Sequence, residues 1–418
     1  MIWAGKFAVN GRTYGVGNRP IVVICLDGSA DEYFDAALVR GLMPNLQRFS
    51  TEGFRGMARG ALPSFTNVNN TSIVTGVPPS IHGIGGNFFF DTSSGEEVMM
   101  NSSKFVRAET ILAAATGAGR KVAVLTAKEK LRDIFANGVV KSAGAGGVAF
   151  SSEKAKDARL HTHGIEGVEE LVGEKTPEIY SGDASLYVLK AGAALVEKGR
   201  ADFLYLSTTD FMQHLYAPET VEALDFYAAI DTQFGRLQKA GCIVGITADH
   251  GMNPKQKTDG SPNVVYLESE LVQQFGKDFR VILPITDPYV AHHGALGSFA
   301  VIHLPPGQER QAAIDFVLKF PGVTEVWEKE MAAIKLELPL DRLGDLIVMS
   351  ARDVVLGRTP EYHDLKALKG PLRSHGGRYE EMVPFVVSEH LNAEYVQRAK
   401  GDLRNFDIFD FTINGVSR

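Results

Sequence analysis

The chain is predicted to fold as an α/β protein: a doubly wound, mostly parallel sheet flanked by helices, with a smaller α+β insertion. Three observations predict it. Short unbroken apolar runs recur as "IVVICLD", "KVAVLTA", "DFLYLST", "CIVGITAD" and "VPFVVS", and runs of this length read as strands buried on both faces. Helical spacing fills the gaps in "MPNLQRFSTEG", "SLYVLKAGAALVEKG" and "TVEALDFYAAIDTQFGRLQKAG", and such alternation marks helices covering a parallel sheet. Residues 262–360 then become denser in β signals, which sets them apart as a cap over a core made of 1–261 and 361–418.

The elements follow in order. "IVVICLD" is apolar until it ends in Asp27. In "GALPSFTNVNNTSIVTGVPPSIHG", Pro63 and Ser64 predict a turn, a helix runs from Asn67 to Thr75, and Pro78 and Pro79 stop it. Ser64, Thr66, Asn67, Asn69 and Asn70 crowd its start, where short polar side chains commonly cap orphan N–H groups. "KSAGAGGVAFSSEKAK" (141–156) is expected to be a surface loop. "DFLYLSTTDFMQH" runs from a strand into Asp210, with His214 four residues on, and "CIVGITADHGMN" ends in Asp249, His250 and Gly251. In the cap, "NVVYLES", "FRVILPITDPYVAHH", "SFAVIHLPP", "AAIKLEL" and "DLIVMS" carry the β signals around a helix in "GQERQAAIDFVLKF". Its loop "DPYVAHHGALGS" sets His292 and His293 between glycines, where they either face the cleft or are ordinary surface or core residues. A last strand follows "LRSHGGRYEEM", which offers His375.

Composition narrows the function. The net charge is −7 with no basic block, which argues against nucleic acid as a partner. The apolar runs are too short to span a bilayer, and no basic segment followed by an apolar core opens the chain, so a cytoplasmic protein without membrane association is expected. Cys25 and Cys242 both lie in strand-like apolar runs and read as buried free thiols. An acidic protein still accepts a small anion where metals or local lysines reverse the sign of the field. The oligomeric state is not fixed by the sequence, and a homodimer is one option.

Three Asp and three His gather at strand ends, the edge where doubly wound sheets bind ligands. Singly, each has a plain explanation as a turn or cap residue. Together, carboxylates in one poorly solvated cleft repel one another, and divalent metal is the economical remedy. Imidazole nitrogen and carboxylate oxygen suit zinc, although manganese or iron also accepts such donors. The i, i+4 spacing of Asp210 and His214 puts both on one side of a helical turn, and Gly251 permits the irregular turn that adjacent ligands Asp249 and His250 need. The set divides into Asp210, His214 and His375, and Asp27, Asp249 and His250. Each trio leaves a coordination position open, as catalytic zinc sites do.

Asp27 closing the first strand, Thr66 at a helix start, D-x-x-x-H (Asp210 to His214), D-H-G (Asp249 to Gly251) and a late His-Gly (His375, Gly376) resemble the alkaline phosphatase superfamily in that order. Threonine rather than serine, and Asn87 in "GGNFFFD", resemble its nucleotide pyrophosphatase/phosphodiesterase branch and the related phosphonoacetate hydrolases; "TAKEKLR" (126–132) is similar to the latter. The resemblance covers most of the chain outside the cap. It implies two zinc ions held by the two trios, with Thr66 as a further ligand and the nucleophile. It implies that Asn87 and the backbone N–H after Thr66 hold a phosphoryl oxygen, and that Lys128 and Lys130 receive a substrate carboxylate. Alternation along a strand would point those lysines opposite ways, whereas a helix or turn starting at Lys128 lets both face the cleft; Lys128 is the stronger candidate.

The implied reaction is hydrolysis of phosphonoacetate to acetate and phosphate through a phosphothreonine. Capping remains the reading for Asn67 and Asn69. A phosphodiesterase or nucleotide pyrophosphatase with the same metal pair is the alternative, with "NFFFD" (87–91) as an aromatic platform for an ester group. A metal-stabilised binding protein without activity is the distant one, and it has no use for open coordination positions.

Overall fold

Every residue of β1 (Ile21–Cys25) is buried, and so is every residue of the strands that flank it, as a central parallel sheet requires. In the computed structural model, which describes residues 5–141, 146–285, 296–368 and 370–417, the chain continues through β2 (Phe54–Arg59), β3 (Val122–Thr126), β4 (Val148–Ser151), β5 (Phe203–Ser207) and β6 (Ile243–Thr247). Four strands β7 (Arg280–Ile282), β8 (Phe299–His303), β9 (Val323–Glu328) and β10 (Leu346–Ser350) come next, before β11 (Met382–Val387). The main sheet has seven strands in the order β2-β11-β6-β1-β5-β3-β4, and β11 alone runs antiparallel to its neighbours.

Alternate side chains of β1 enter different cores, as strand geometry dictates. Val22 and Ile24 pack beneath α1 (Asp31–Val39) and two long helices, Gly182–Glu197 and Val221–Lys239. Ile21, Val23 and Cys25 face the opposite layer, which holds α2 (Thr66–Thr75), α3 (Glu129–Phe135) and the C-terminal helix Ile408–Asn414. Both cysteines are buried and free.

The second sheet is antiparallel throughout, in the order β7-β8-β10-β9. Its apolar core is separate and takes in Ala61, Leu62, Phe65 and Val68, so this second sheet seats directly on the first turn of α2. Phe88, Phe89 and Phe90, in a hairpin of Phe88–Asp91 and Glu96–Met99, pack against the same core. The Arg280 guanidinium, on β7, lies 4.1 Å from the Phe90 ring centroid, so part of the aromatic platform that the phosphodiesterase alternative offered is engaged by the second sheet.

Three expectations are corrected. The segment 141–156 is not simply a surface loop: Val148–Ser151 is the buried edge strand β4, whose three apolar residues are hidden in the sequence between Gly147 and Ser151. "AAIKLEL" is not a strand, since Lys329–Lys335 is helical, as its adjacent alanines favour; the neighbouring strand is "VTEVWE", β9. "NVVYLES" gives only a short strand, Val264–Tyr266, before the helix Leu267–Phe275. His292 and His293 lie outside the described residues. No helix among the described residues is long and apolar enough to cross a membrane.

Candidate active site

Four parallel strands deliver polar residues to one edge. Asp27 follows β1, Lys128 follows β3, Asp210 follows β5 and Asp249 follows β6, at the carboxyl ends where such sheets bind ligands. The Asp27 N–H donates to Thr208 Oγ1 at 2.9 Å. Gly28, at φ +71°, follows it, and a Cβ there would lie 2.9 Å from Asp210 Cβ, so only glycine lets these two turns approach. Asp249 Oδ1 accepts from the Gly28 and His250 N–H groups at 3.1 and 3.0 Å. The short helix Phe211–Leu215 places His214 Nε2 2.9 Å from Asp210 Oδ2. His375 follows the strand Arg373–Ser374, and Gly376 at φ +123° passes so near Phe65 that a Cβ would lie 2.4 Å from its ring.

All six acidic and imidazole residues converge. His250 Nε2 lies 3.2 Å from Asp27 Oδ1 and 3.8 Å from Asp249 Oδ2, and His375 Nε2 lies 3.7 Å from Asp210 Oδ2. Asp27, Asp249 and His250 form one group with ligand atoms within 4.8 Å of one another; Asp210, His250 and His375 form a second. His250 thus stands between the two trios expected from sequence. Each imidazole is oriented by a backbone carbonyl: Nδ1–H of His214 donates to Arg373 (2.9 Å), that of His250 to Gly251 (2.9 Å) and that of His375 to Ser64 (2.7 Å). A carbonyl only accepts, so the proton sits on Nδ1 and Nε2 is the atom that could ligate, as in the arrangement common behind metal-bound imidazoles.

The electrostatics fit a cation. Both oxygens of Asp27 are buried and accept no hydrogen bond from the described residues, although His250 Nε2 and, at 3.7 Å, Lys128 Nζ are near. Burial, then the adjacent Asp27, pushes the Asp249 carboxyl well above the usual carboxylate range. Burial also disfavours charge on His250, but Asp249 and Asp27 overcome it and raise the imidazole to about 9. Burial opposes ionisation of Asp210 too, yet Lys128, His214 and His375 hold its carboxyl well below its ordinary value. Carboxylates leaning on imidazolium and ammonium for compensation, with nitrogen and oxygen donors this close, suit divalent metal.

Thr66 is the first residue of α2, 3 % exposed, with Oγ1 3.5 Å from His250 Nε2. The capping expectation for Asn67 and Asn69 is not met. The N-cap of α2 is Phe65 and makes no side-chain cap bond; Asn69 instead ties to both backbone groups of Ala61 (2.7 and 2.9 Å), and Asn67 Nδ2 donates to Met100 O (2.9 Å). Asn87 Oδ1 accepts the Asn67 N–H at 3.1 Å, so the two groups expected to share a phosphoryl oxygen here bond to each other. Lys128 immediately precedes α3, with Nζ 3.3 Å from Asp210 Oδ1. Lys130 is buried on the first turn of α3, and a helix starting here removes the strand-alternation objection to the pair.

Sequence reasoning missed the role of Asn70, one turn beyond Thr66. Its Nδ2 donates to Asp249 Oδ2 (2.9 Å) and Thr66 O (3.1 Å), while its Oδ1 accepts from Tyr205 OH and Ser207 Oγ, both at 2.7 Å. The i, i+4 offset from Thr66 was the available signal.

Residues 21–378 match the family model of type I phosphodiesterase / nucleotide pyrophosphatase. The chain belongs to this family. Within it, the chain is similar to phosphonoacetate hydrolase from Sinorhizobium meliloti, whose structure in complex with phosphonoformate superposes with a TM-score of 0.93 at 46 % identity, covering 99 % of this chain and 100 % of that one. The same enzyme in complex with phosphonoacetate gives 0.93 at 45 % identity, over the same shares. Murine ectonucleotide pyrophosphatase / phosphodiesterase 5 shares the fold, with a TM-score of 0.61 at 16 % identity over 96 % of each chain. An uncharacterized pyrophosphatase/phosphodiesterase of Schizosaccharomyces pombe is 37 % identical over 96 residues, which span 22 % of this chain and 19 % of that protein.

Proposed function

We propose that this family member, a hydrolase of phosphorus compounds, cleaves the carbon–phosphorus bond of phosphonoacetate to give acetate and phosphate. The carrying observation is the full-length likeness to the S. meliloti phosphonoacetate hydrolase. Zinc would be held by Asp210, His214 and His375 and by Asp27, Asp249, His250 and Thr66, supplying positive charge that lowers the pKa of the Thr66 hydroxyl and neutralises phosphoryl oxygens. We take residues 262–360 as the cap that shapes access.

Thr66 Oγ, its proton released to solvent, attacks phosphorus, forming a phosphothreonine as the P–C bond breaks. The bond's electron pair passes to carbon and delocalises into the adjacent carboxylate; that carbon then takes a proton from water to give acetate. Lys128, buried beside Asp210 and Asp27, faces the negative charge gathering on that carboxylate, with Lys130 as its partner. The N-terminus of α2 favours the phosphoryl anion, and a phosphoryl oxygen takes the Asn67 N–H in exchange for Asn87 Oδ1, freeing the Asn87 amide to turn its donors to the same oxygen. Water cleaves the phosphothreonine and returns Thr66.

The family description favours a second reading, phosphodiester hydrolysis at the same site. Phosphate release from phosphonoacetate, beside turnover of bis(p-nitrophenyl) phosphate, tests both. Much higher kcat/KM on phosphonoacetate is expected; turnover of the diester alone would overturn carbon–phosphorus cleavage.

A further inference from the structure

Lys255 and Glu380 form an ion pair at 2.8 Å in which both side chains are fully buried, and neither belongs to the six Asp and His residues described above. Such a pair is poor evidence for stability, because apolar residues of similar volume often serve as well. Its geometry is more informative. The ammonium has three donors, and three acceptors meet them: Ser298 Oγ (2.7 Å), Arg352 O (2.7 Å) and Glu380 Oε1 (2.8 Å). Ser298 and Arg352 flank the cap strands β8 and β10, whereas Glu380 belongs to the segment that follows His375.

Glu380 distributes this anchorage to both ligand-bearing turns. Its Oε2 accepts the Gly377 N–H at 3.1 Å, and its carbonyl accepts the Gly251 N–H at 2.8 Å, directly after His250. Its Oε1 also accepts from Asn253 Nδ2 (2.7 Å), and Asn253 Oδ1 accepts from Arg352 Nε (2.8 Å), which closes a ring of bonds between core and cap. On the cap side, the Ser298 N–H donates to the carbonyl of His375 itself at 2.9 Å.

We propose that Lys255 and Glu380 are positioning residues that couple the seating of the cap to the placement of His375 and His250, and so set the affinity for the metal that His375 holds. The inference rests on the metal reading of the site given above. Second-layer partners of metal ligands commonly control affinity in this way.

The test uses the full chain with Lys255→Met, the charge-neutral pair Lys255→Met/Glu380→Gln, and Ser298→Ala, which removes one acceptor and strands no charge. Folding is checked by near-UV circular dichroism, and zinc affinity is read by competition with a chromophoric chelator. Two zinc equivalents are expected in the wild type, with one of them bound about 10- to 100-fold more weakly in the folded neutral pair. A neutral pair that folds and holds both ions with wild-type affinity overturns the proposal, since the ion pair is then only structural. Should the pair not fold, a folded Ser298→Ala variant with both affinities unchanged overturns it equally, and a several-fold loss supports it. Wild-type protein that takes up fewer than two zinc ions sinks the metal reading, and this proposal with it, before any substitution is compared.

Discussion

The imidazole rings of His250 and His375 are stacked, with centroids 3.5 Å apart and planes 5° from parallel. Two imidazolium ions would repel strongly at that separation. Burial, then the neighbouring His250, accordingly holds His375 well below its ordinary pKa. The stack brings both Nε2 atoms among the three carboxylates, so the pocket is crowded with groups that metal would reconcile.

Adding zinc to chelator-treated protein should therefore stabilise the fold. A site that binds only the folded state contributes about 2.7 kcal/mol when free metal is 100 times its dissociation constant. Scanning calorimetry should show Tm rising until two equivalents have been added, with hydrolysis of phosphonoacetate restored over the same range. A flat Tm and unchanged turnover after chelation would remove metal from the account.

Thr66→Ala should lower kcat/KM for phosphonoacetate roughly 10³-fold or more, as loss of a nucleophile does. Both trios stay in place, so zinc content by elemental analysis should remain near that of the wild type. Thr66→Ser keeps the hydroxyl and should retain phosphoenzyme formation, detectable by mass spectrometry after acid quench. Full activity in Thr66→Ala would end the nucleophile assignment.

Lys128→Met separates the two functional readings. Losing a charged hydrogen bond to the substrate carboxylate costs about 1.5–3 kcal/mol, or roughly 10- to 100-fold in kcat/KM. The loss should be much smaller on a phosphodiester, which carries no carboxylate. Equal losses on both substrates would make Lys128 a partner of Asp210 and Asp27 only.

The cluster of Asp and His was legible because its parts are local: each acidic residue ends an apolar run, and Asp210 with His214, or Asp249 with His250, declares a turn by spacing alone. The parallel strands were legible for the same reason, since burial on both faces leaves nothing but apolar residues. β4 was not, because three apolar residues between Gly147 and Ser151 carry too little pattern. Nor were Asn70, Lys255 and Glu380, whose partners lie 179 residues away for the Asn70–Asp249 bond and 125 for the ion pair. Only the folded chain brings those groups together.

His82 supplies a pH dependence outside the cluster of Asp and His. Its Nδ1 accepts the Ile84 N–H at 3.1 Å, so the ring is neutral and its Nε2–H faces Ser72 Oγ at 2.8 Å. Burial, with Arg342 also disfavouring a second positive charge, lowers its pKa to about 3. An unfolded chain titrates this imidazole near about 6.5. Between those values the unfolded state binds a proton that the folded state does not, so stability is lost as pH falls below 6.5 and is unaffected by this group above it. The slope is up to about 1.4 kcal/mol per pH unit. His82→Gln keeps an acceptor for Ile84 and a donor for Ser72 without titrating. Urea unfolding of the two proteins at pH 7.5, 6 and 5 should show stability falling less steeply in the variant, by about that slope. Parallel curves would mean that the acid sensitivity arises elsewhere.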